Sequence, residues 1–163
     1  MISKLSDGEL PLRLWADEVR GQFNNYIQIL DIPVSKSGIA TNYVKGKHPA
    51  KNLVALGTAY FGFIVPYSLN QFKEATIRFI PNTTGSFNYT VNLAYGAIGA
   101  SYSATTKTVT ASKSVTDGLL TEIDISSLFT DQNTNDQIGC ELVVNSLTTT
   151  TSLDVLSLYV KYI

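Results

Sequence analysis

The stretch "GSFNYTVNLAYG", residues 85–96, alternates without a break. Phe87, Tyr89, Val91, Leu93 and Tyr95 fall on one parity; Ser86, Asn88, Thr90, Asn92 and Ala94 fall on the other. Successive side chains of a strand point to opposite faces, so this pattern spells a strand with one apolar face and one neutral polar face. None of these residues is an obvious acid, base, nucleophile or metal ligand. The stretch specifies shape and shows little chemistry.

The same text continues on both sides. Upstream, "EATIRFIP" (74–81) is a strand stopped by Pro81 and a turn around "NTTG". The run "NLVALGTAYFGFIVP" (52–66) reads as a long apolar strand with Gly57 and Gly62 inside it, where a bulge or a close backbone approach is expected. Downstream come "KTVTASKSVT" (107–116) and "LLTEIDIS" (119–126), the latter with Ile123 and Ile125 inward and Glu122 and Asp124 outward. "SLFTD" is a single helical turn before the loop "QNTND". "QIGCELVVN" (137–145) and "SLDVLSLYVKYI" (152–163) follow, the last with Leu156, Leu158, Val160 and Tyr162 on one face. An apolar strand of this kind is an aggregation hazard at a sheet edge, so it belongs inside a sheet or beside a neighbour. About seven strands with turn signals between them and no convincing helix predict an all-β fold, an antiparallel two-sheet β-sandwich of the jelly-roll type.

The first 50 residues keep no single period for long. They hold the only Trp, and "SKSGIATNYVKGKHPAKN" (35–52) is polar and glycine-bearing, like a linker or long loop. The expected organisation is an N-terminal arm over residues 1–50 and a sandwich domain over 51–163. The alternative is that the first stretch contributes one or two strands, or a short helix, to the same unit.

Composition agrees with a β domain and narrows its chemistry. The chain has 163 residues, 44% hydrophobic and only 15% charged; its polarity comes from 18 Thr, 15 Ser and 11 Asn. Thr favours a pleated, half-solvated surface, and Asn and Ser favour turns. Net charge is −1, which gives no overall footprint for nucleic acid or an anionic membrane. Residues 1–73 carry +3 and residues 74–163 carry −4, a polarity suited to docking by charge complementarity. The start lacks the apolar core of a signal peptide, and no apolar run approaches the ~20 residues of a membrane helix. A soluble chain made in a reducing compartment is expected.

Catalytic patterns find little purchase. Nucleophilic catalysis needs a base, and the single histidine, His48, sits in the loop-like "KGKHPAK". A catalytic zinc needs three converging ligands, which one His and the apolar-flanked Cys140 do not supply. "DQNTNDQIGCEL" places oxygens at Asp131, Asn133, Asn135 and Asp136, but the sixth and twelfth positions of a calcium loop are Asp136 and Leu142 here, so an Asx-rich turn is expected. Glu122 and Asp124 share a strand face, as paired carboxylates would, but on the solvent side. Tyr60, Phe61, Phe63 and Tyr67 suit either a core or a sugar-stacking platform. The expectation is a chain that is not an enzyme and holds no metal or cofactor. The candidate contact residues are the aromatics Trp15, Phe23 and Tyr26 of the arm and the basic Lys45, Lys47 and Lys51, which suit an acidic protein surface.

From Ala75 to Ile163 the order of elements, "ATIRFIP", a Thr/Gly turn, "FNYTVNLAYG", "LLTEIDISSLFTD", "NDQIGCELVV" and "LDVLSLYVKY", resembles virion structural proteins of tailed bacteriophages. The resemblance covers a little over half of the chain and carries no catalytic motif. It implies a jelly roll that decorates a capsid as a cement protein, or forms part of a head or tail fibre. It also implies a homotrimer, with the major capsid protein or other virion subunits as partners, located in virions assembled in the host bacterial cytoplasm. The alternative function is a carbohydrate- or receptor-binding module of a phage fibre.

Overall fold

The computed structural model describes residues 27–35, 43–45, 48–67, 69, 71–101 and 105–163. Among them run β1 (Gln28–Pro33), β2 (Tyr43–Lys45), β3 (His48–Leu53), β4 (Thr58–Ile64), β5 (Phe72–Pro81), β6 (Gly85–Gly96), β7 (Thr105–Val115), β8 (Thr121–Asp124), β9 (Gln137–Thr148) and β10 (Leu153–Tyr162). The expected helical turn is a 3-10 turn at Ser126–Leu128.

The pairings nest. β6 pairs with β7, β5 with β8, β4 with β9 and β3 with β10, all antiparallel, so each pair encloses the one before it in sequence. One long hairpin rolled about its own axis gives this order, with β3-β10-β5-β8 in one sheet and β4-β9-β6-β7 in the other. The fold is a jelly roll. β2 extends the first sheet beyond β3, and β1 lies end to end with β3 along the same edge of β10, pairing residues 157–162 where β3 pairs 153–155. The closing strand therefore sits inside its sheet, as its apolar character requires.

The core lies between the two sheets. Phe87, Tyr89, Val91, Leu93 and Tyr95 all point into it and are buried, while Asn88 on the opposite face is exposed. Ile77 and Phe79 of β5, Leu142 and Val144 of β9 and Leu158 and Val160 of β10 meet them there, all buried. Phe79 and Phe87 bridge the layers edge to face, with ring centroids 5.4 Å apart, the arrangement that aromatic quadrupoles favour. Cys140 is buried in this layer, and burial pushes its thiol pKa up to about 12. It packs as a small apolar residue, as its alternation with Ile138 and Leu142 predicts.

The outer face of the second sheet is a lattice of neutral side chains. Thr90 and Thr110 hydroxyls lie 3.0 Å apart, Asn145 donates to Thr90 at 2.9 Å, and Asn88 donates to Ser146 at 2.9 Å. These are cross-strand partners or near neighbours, each worth about 0.2–1 kcal/mol. The abundance of Thr, Asn and Ser thus has a structural use.

Three sequence expectations are refined. First, the alternative reading of the stretch before residue 51, that it contributes strands, describes Gln28–Pro33, which pairs with β10 over six residues, and His48–Leu53, which belongs to the same sheet. These are partly exposed strands carrying Pro33 and Pro49, so neither shows a clean apolar period. His48 and Lys51 are consequently strand residues. Second, residues 52–66 are two strands. Gly57 closes the turn between them, its N–H donating to the Val54 carbonyl at 2.9 Å. A Cβ at Gly57 would lie 2.8 Å from that oxygen, so the close backbone approach is real although the strand is not continuous. Third, a register shift between Val155 and Ser157 breaks the parity of β10. Val155 and Leu158 are both fully buried on the two sides of this bulge.

Candidate functional site

Register, not any one segment, builds a concavity on the second sheet. On the outer face of the second sheet, Gly62 of β4 pairs with Gly139 of β9, Gly139 with Ala94 of β6, and Ala94 with Thr106 of β7. Three of four positions in this cross-strand row carry little or no side chain, and the row forms the floor of a groove of about 710 Å³. Four strands at ~4.8 Å spacing make the row roughly 14 Å long.

The adjacent row forms one wall. Tyr60 pairs with Glu141, Glu141 with Asn92, and Asn92 with Thr108. The side chains are hydrogen-bonded along the row: Thr108 Oγ1 donates to Asn92 Oδ1 at 3.0 Å, and Asn92 Nδ2 donates to Glu141 Oε2 at 2.8 Å. The Glu141 carboxylate, opposite Tyr60 in the register, raises the phenol pKa above its ordinary value. Lys51 Nζ lies over the Tyr60 ring at 5.9 Å from its centroid, within cation–π range. Tyr60 is 42% exposed, and Ser35, whose N–H donates to the Tyr60 carbonyl at 2.8 Å, completes that end of the groove.

No protein-family model matches the chain, and no curated protein is similar to it. Among solved structures, the chain is similar to the CBM36-1 domain of a multidomain xylanase from the hindgut metagenome of Trinervitermes trinervoides. The TM-score is 0.48 at 14% identity, over 83% of this chain and 96% of that domain. TmCBM61, solved in complex with β-1,4-galactotriose, gives a TM-score of 0.39 at 12% identity over 83% of this chain and 88% of its own. The structure of infectious bursal disease virus, Gx strain, gives 0.39 at 15% identity over 85% of this chain but 32% of that one. At this level of similarity none of them bears on what this chain binds.

The residues singled out in the sequence fall into separate places. Trp15, Phe23, Tyr26 and Lys47 lie outside the described residues. Lys45 pairs with His48 along the backbone, and Lys51 belongs to the groove wall through Tyr60. Of the four aromatics weighed as a platform, Phe61 is core, Phe63 is half-buried, and Tyr60 and Tyr67 are exposed. His48 is exposed, its Nδ1 lying 2.8 Å from the Pro49 carbonyl oxygen.

Each carboxylate considered for chemistry has its own partner. Glu122 accepts from Arg78 Nε at 2.8 Å, and the Arg78 guanidinium stacks 3.8 Å above the Tyr159 ring. Asp124 accepts from the Ser126 N–H at 2.9 Å and the Ser126 hydroxyl at 2.6 Å, bonds that hold its pKa below the usual carboxylate value. Asp131 pairs with Lys107, and Asp136 accepts from the Asn133 N–H at 2.8 Å. Asn135 takes φ +67° in this turn, a conformation Asn tolerates. The Asp131 and Asp136 carboxylates of this stretch thus bond to the protein, the latter in an Asx-type turn.

The groove floor went unnoticed in the sequence because its members lie in three separate strands. The available signal was the strand-interior glycine at 62 and a second one at 139, inside "QIGCELVVN".

Proposed function

We propose that the chain is a virion structural protein, a capsid-decorating subunit that acts as a homotrimer and stabilises a phage head by repeated contacts with the major capsid protein. The observation that carries this reading is the placement of its bare apolar side chains. The core is closed, yet the loops at one end of the roll expose Val54, Leu56, Leu119 and Leu120, and the opposite end exposes Tyr67 and Ile98, the last two by 83% and 86%. Six of the ten exposed large apolar side chains among the described residues lie in these loops, the others being Ile27, Ile29, Tyr60 and Ile64, and such gatherings mark contact surfaces.

Two further features support it. The order of elements from Ala75 to Ile163 resembles phage virion proteins. The polarised charge, with Lys45, Lys47 and Lys51 in its basic part, suits an acidic shell. A trimer presenting three weak contacts gains affinity through effective concentration, so no single contact has to be strong. No bond is made or broken in this role.

The test uses heads of the cognate phage that lack this subunit. Added full-length chain should co-sediment with them and raise their resistance to heat. A chain lacking residues 1–26 should fold and yet bind at least about tenfold more weakly. The deletion stops there because Gln28–Pro33 is part of the sheet. Full-length chain that neither co-sediments nor protects the heads would overturn the reading.

A further inference from the structure

We propose that the groove on the outer face of the β4-β9-β6-β7 sheet is a binding site for a neutral oligosaccharide. This goes beyond the decorating role and does not depend on it.

The floor is the first reason. Gly62 has no positive φ, and a Cβ built there meets only the Ile138 carbonyl oxygen at 3.7 Å, an ordinary contact. The fold therefore does not require glycine at this position, although glycine weakens a strand interior. Its effect is to leave open a row that Gly139 and Ala94 continue. Gly85, by contrast, is demanded by the backbone around it.

The wall is the second. Tyr60 is exposed on a sheet whose other outward residues are mostly small and polar, with Glu141 opposite it in the register and Lys51 over its ring. An aromatic side chain with two rotatable bonds offers a flat apolar surface to the C–H face of a pyranose at little entropic cost. Along the groove stand Asn92, Thr106, Thr108 and Gln137, uncharged groups of the kind that exchange hydrogen bonds with sugar hydroxyls. Between the two edge strands the backbone is paired across the sheet, so the floor offers no free ladder to an added peptide strand.

Charge sets the class. The Glu141 carboxylate and the Lys51 ammonium over Tyr60 offset one another, so the wall holds no net positive charge to draw uronates or sialic acids. A neutral chain of two or three sugar rings matches the roughly 14 Å floor.

The experiment is calorimetric titration of the full-length chain with soluble neutral hexasaccharides of glucose, xylose, galactose and mannose, alongside a polygalacturonate hexamer. At least one neutral oligomer should bind, and the acidic one should not. Tyr60→Ala should weaken binding by about tenfold or more. Gly62→Val should abolish it by filling the floor, while the melting temperature stays at or above that of the parent, because a β-branched residue suits a strand. Gly62→Val should also leave binding to phage heads unchanged, so failure of the sugar site and failure of the decorating role are separable. The proposal is overturned if no neutral oligomer binds, if the acidic oligomer binds as well as a neutral one, or if binding survives both substitutions in folded protein.

Discussion

A chain ending at Thr151 is expected to lose its cooperative fold altogether. The deletion removes β10, which pairs with β5 over nine residues and with β1 over six, so its loss parts the first sheet down the middle. Leu153, Val155, Leu158 and Val160 are fully buried. At about 1.5–3 kcal/mol each, their burial alone is comparable with the 5–15 kcal/mol by which a whole domain is stable. The open edges of β5 and β3 would then be templates for aggregation. Urea unfolding followed by circular dichroism checks this. The truncated chain should show no sigmoidal transition, whereas a parent-like transition would mean that β10 is not central.

Gly85→Ala should be the most damaging of the single methyl additions. A Cβ at Gly85 would lie 2.6 Å from Thr150 Oγ1 and closer still to the Thr148 carbonyl oxygen and the Thr150 nitrogen. Two of these are backbone atoms, held where the 149–152 turn crosses the start of β6 through the Ser86–Thr149 bridge, and they have no rotamer by which to yield. A loss of about 3 kcal/mol or more is expected, the upper range for overpacking. It should appear as a lower urea midpoint at an unchanged slope. A midpoint within error of the parent would show that the turn gives way freely.

These two cases also mark what the sequence could and could not disclose. In β6 and β9 buried residues alternate with more exposed ones, so a period of two stands out, and the apolar closing strand pointed to the interior of a sheet. β1 and β3 escaped notice because strands with mixed exposure and a proline have no such contrast. The bulge at residue 156 escaped because Val155, Leu156 and Leu158 are all apolar and buried. The groove was illegible for a different reason: Gly62, Ala94 and Gly139 become neighbours only through pairing between β4, β9 and β6. Tyr60 could be singled out as an aromatic, but its exposure follows from parity relative to Phe61, which takes the core. Residue type was readable, and juxtaposition was not.

The electrostatic reading of the sequence gains a narrower meaning. Its acidic part is not one negative surface, because Glu122, Asp131 and Glu74 each lie against a cation, Arg78, Lys107 and Lys161. Exposed pairs of this kind add little stability, about 0–1 kcal/mol each. In the proposed trimer, contact between copies would rest on the apolar loops and should change little with added salt.

Sedimentation or light scattering on the purified full-length chain is therefore the most direct measurement, because a protein that works through shared surfaces has to share them with itself first. The account predicts a particle of about 53 kDa, three times the 17.8 kDa of one chain, at micromolar concentration and in both low and moderate salt. A single species of 17.8 kDa under the same conditions would contradict it.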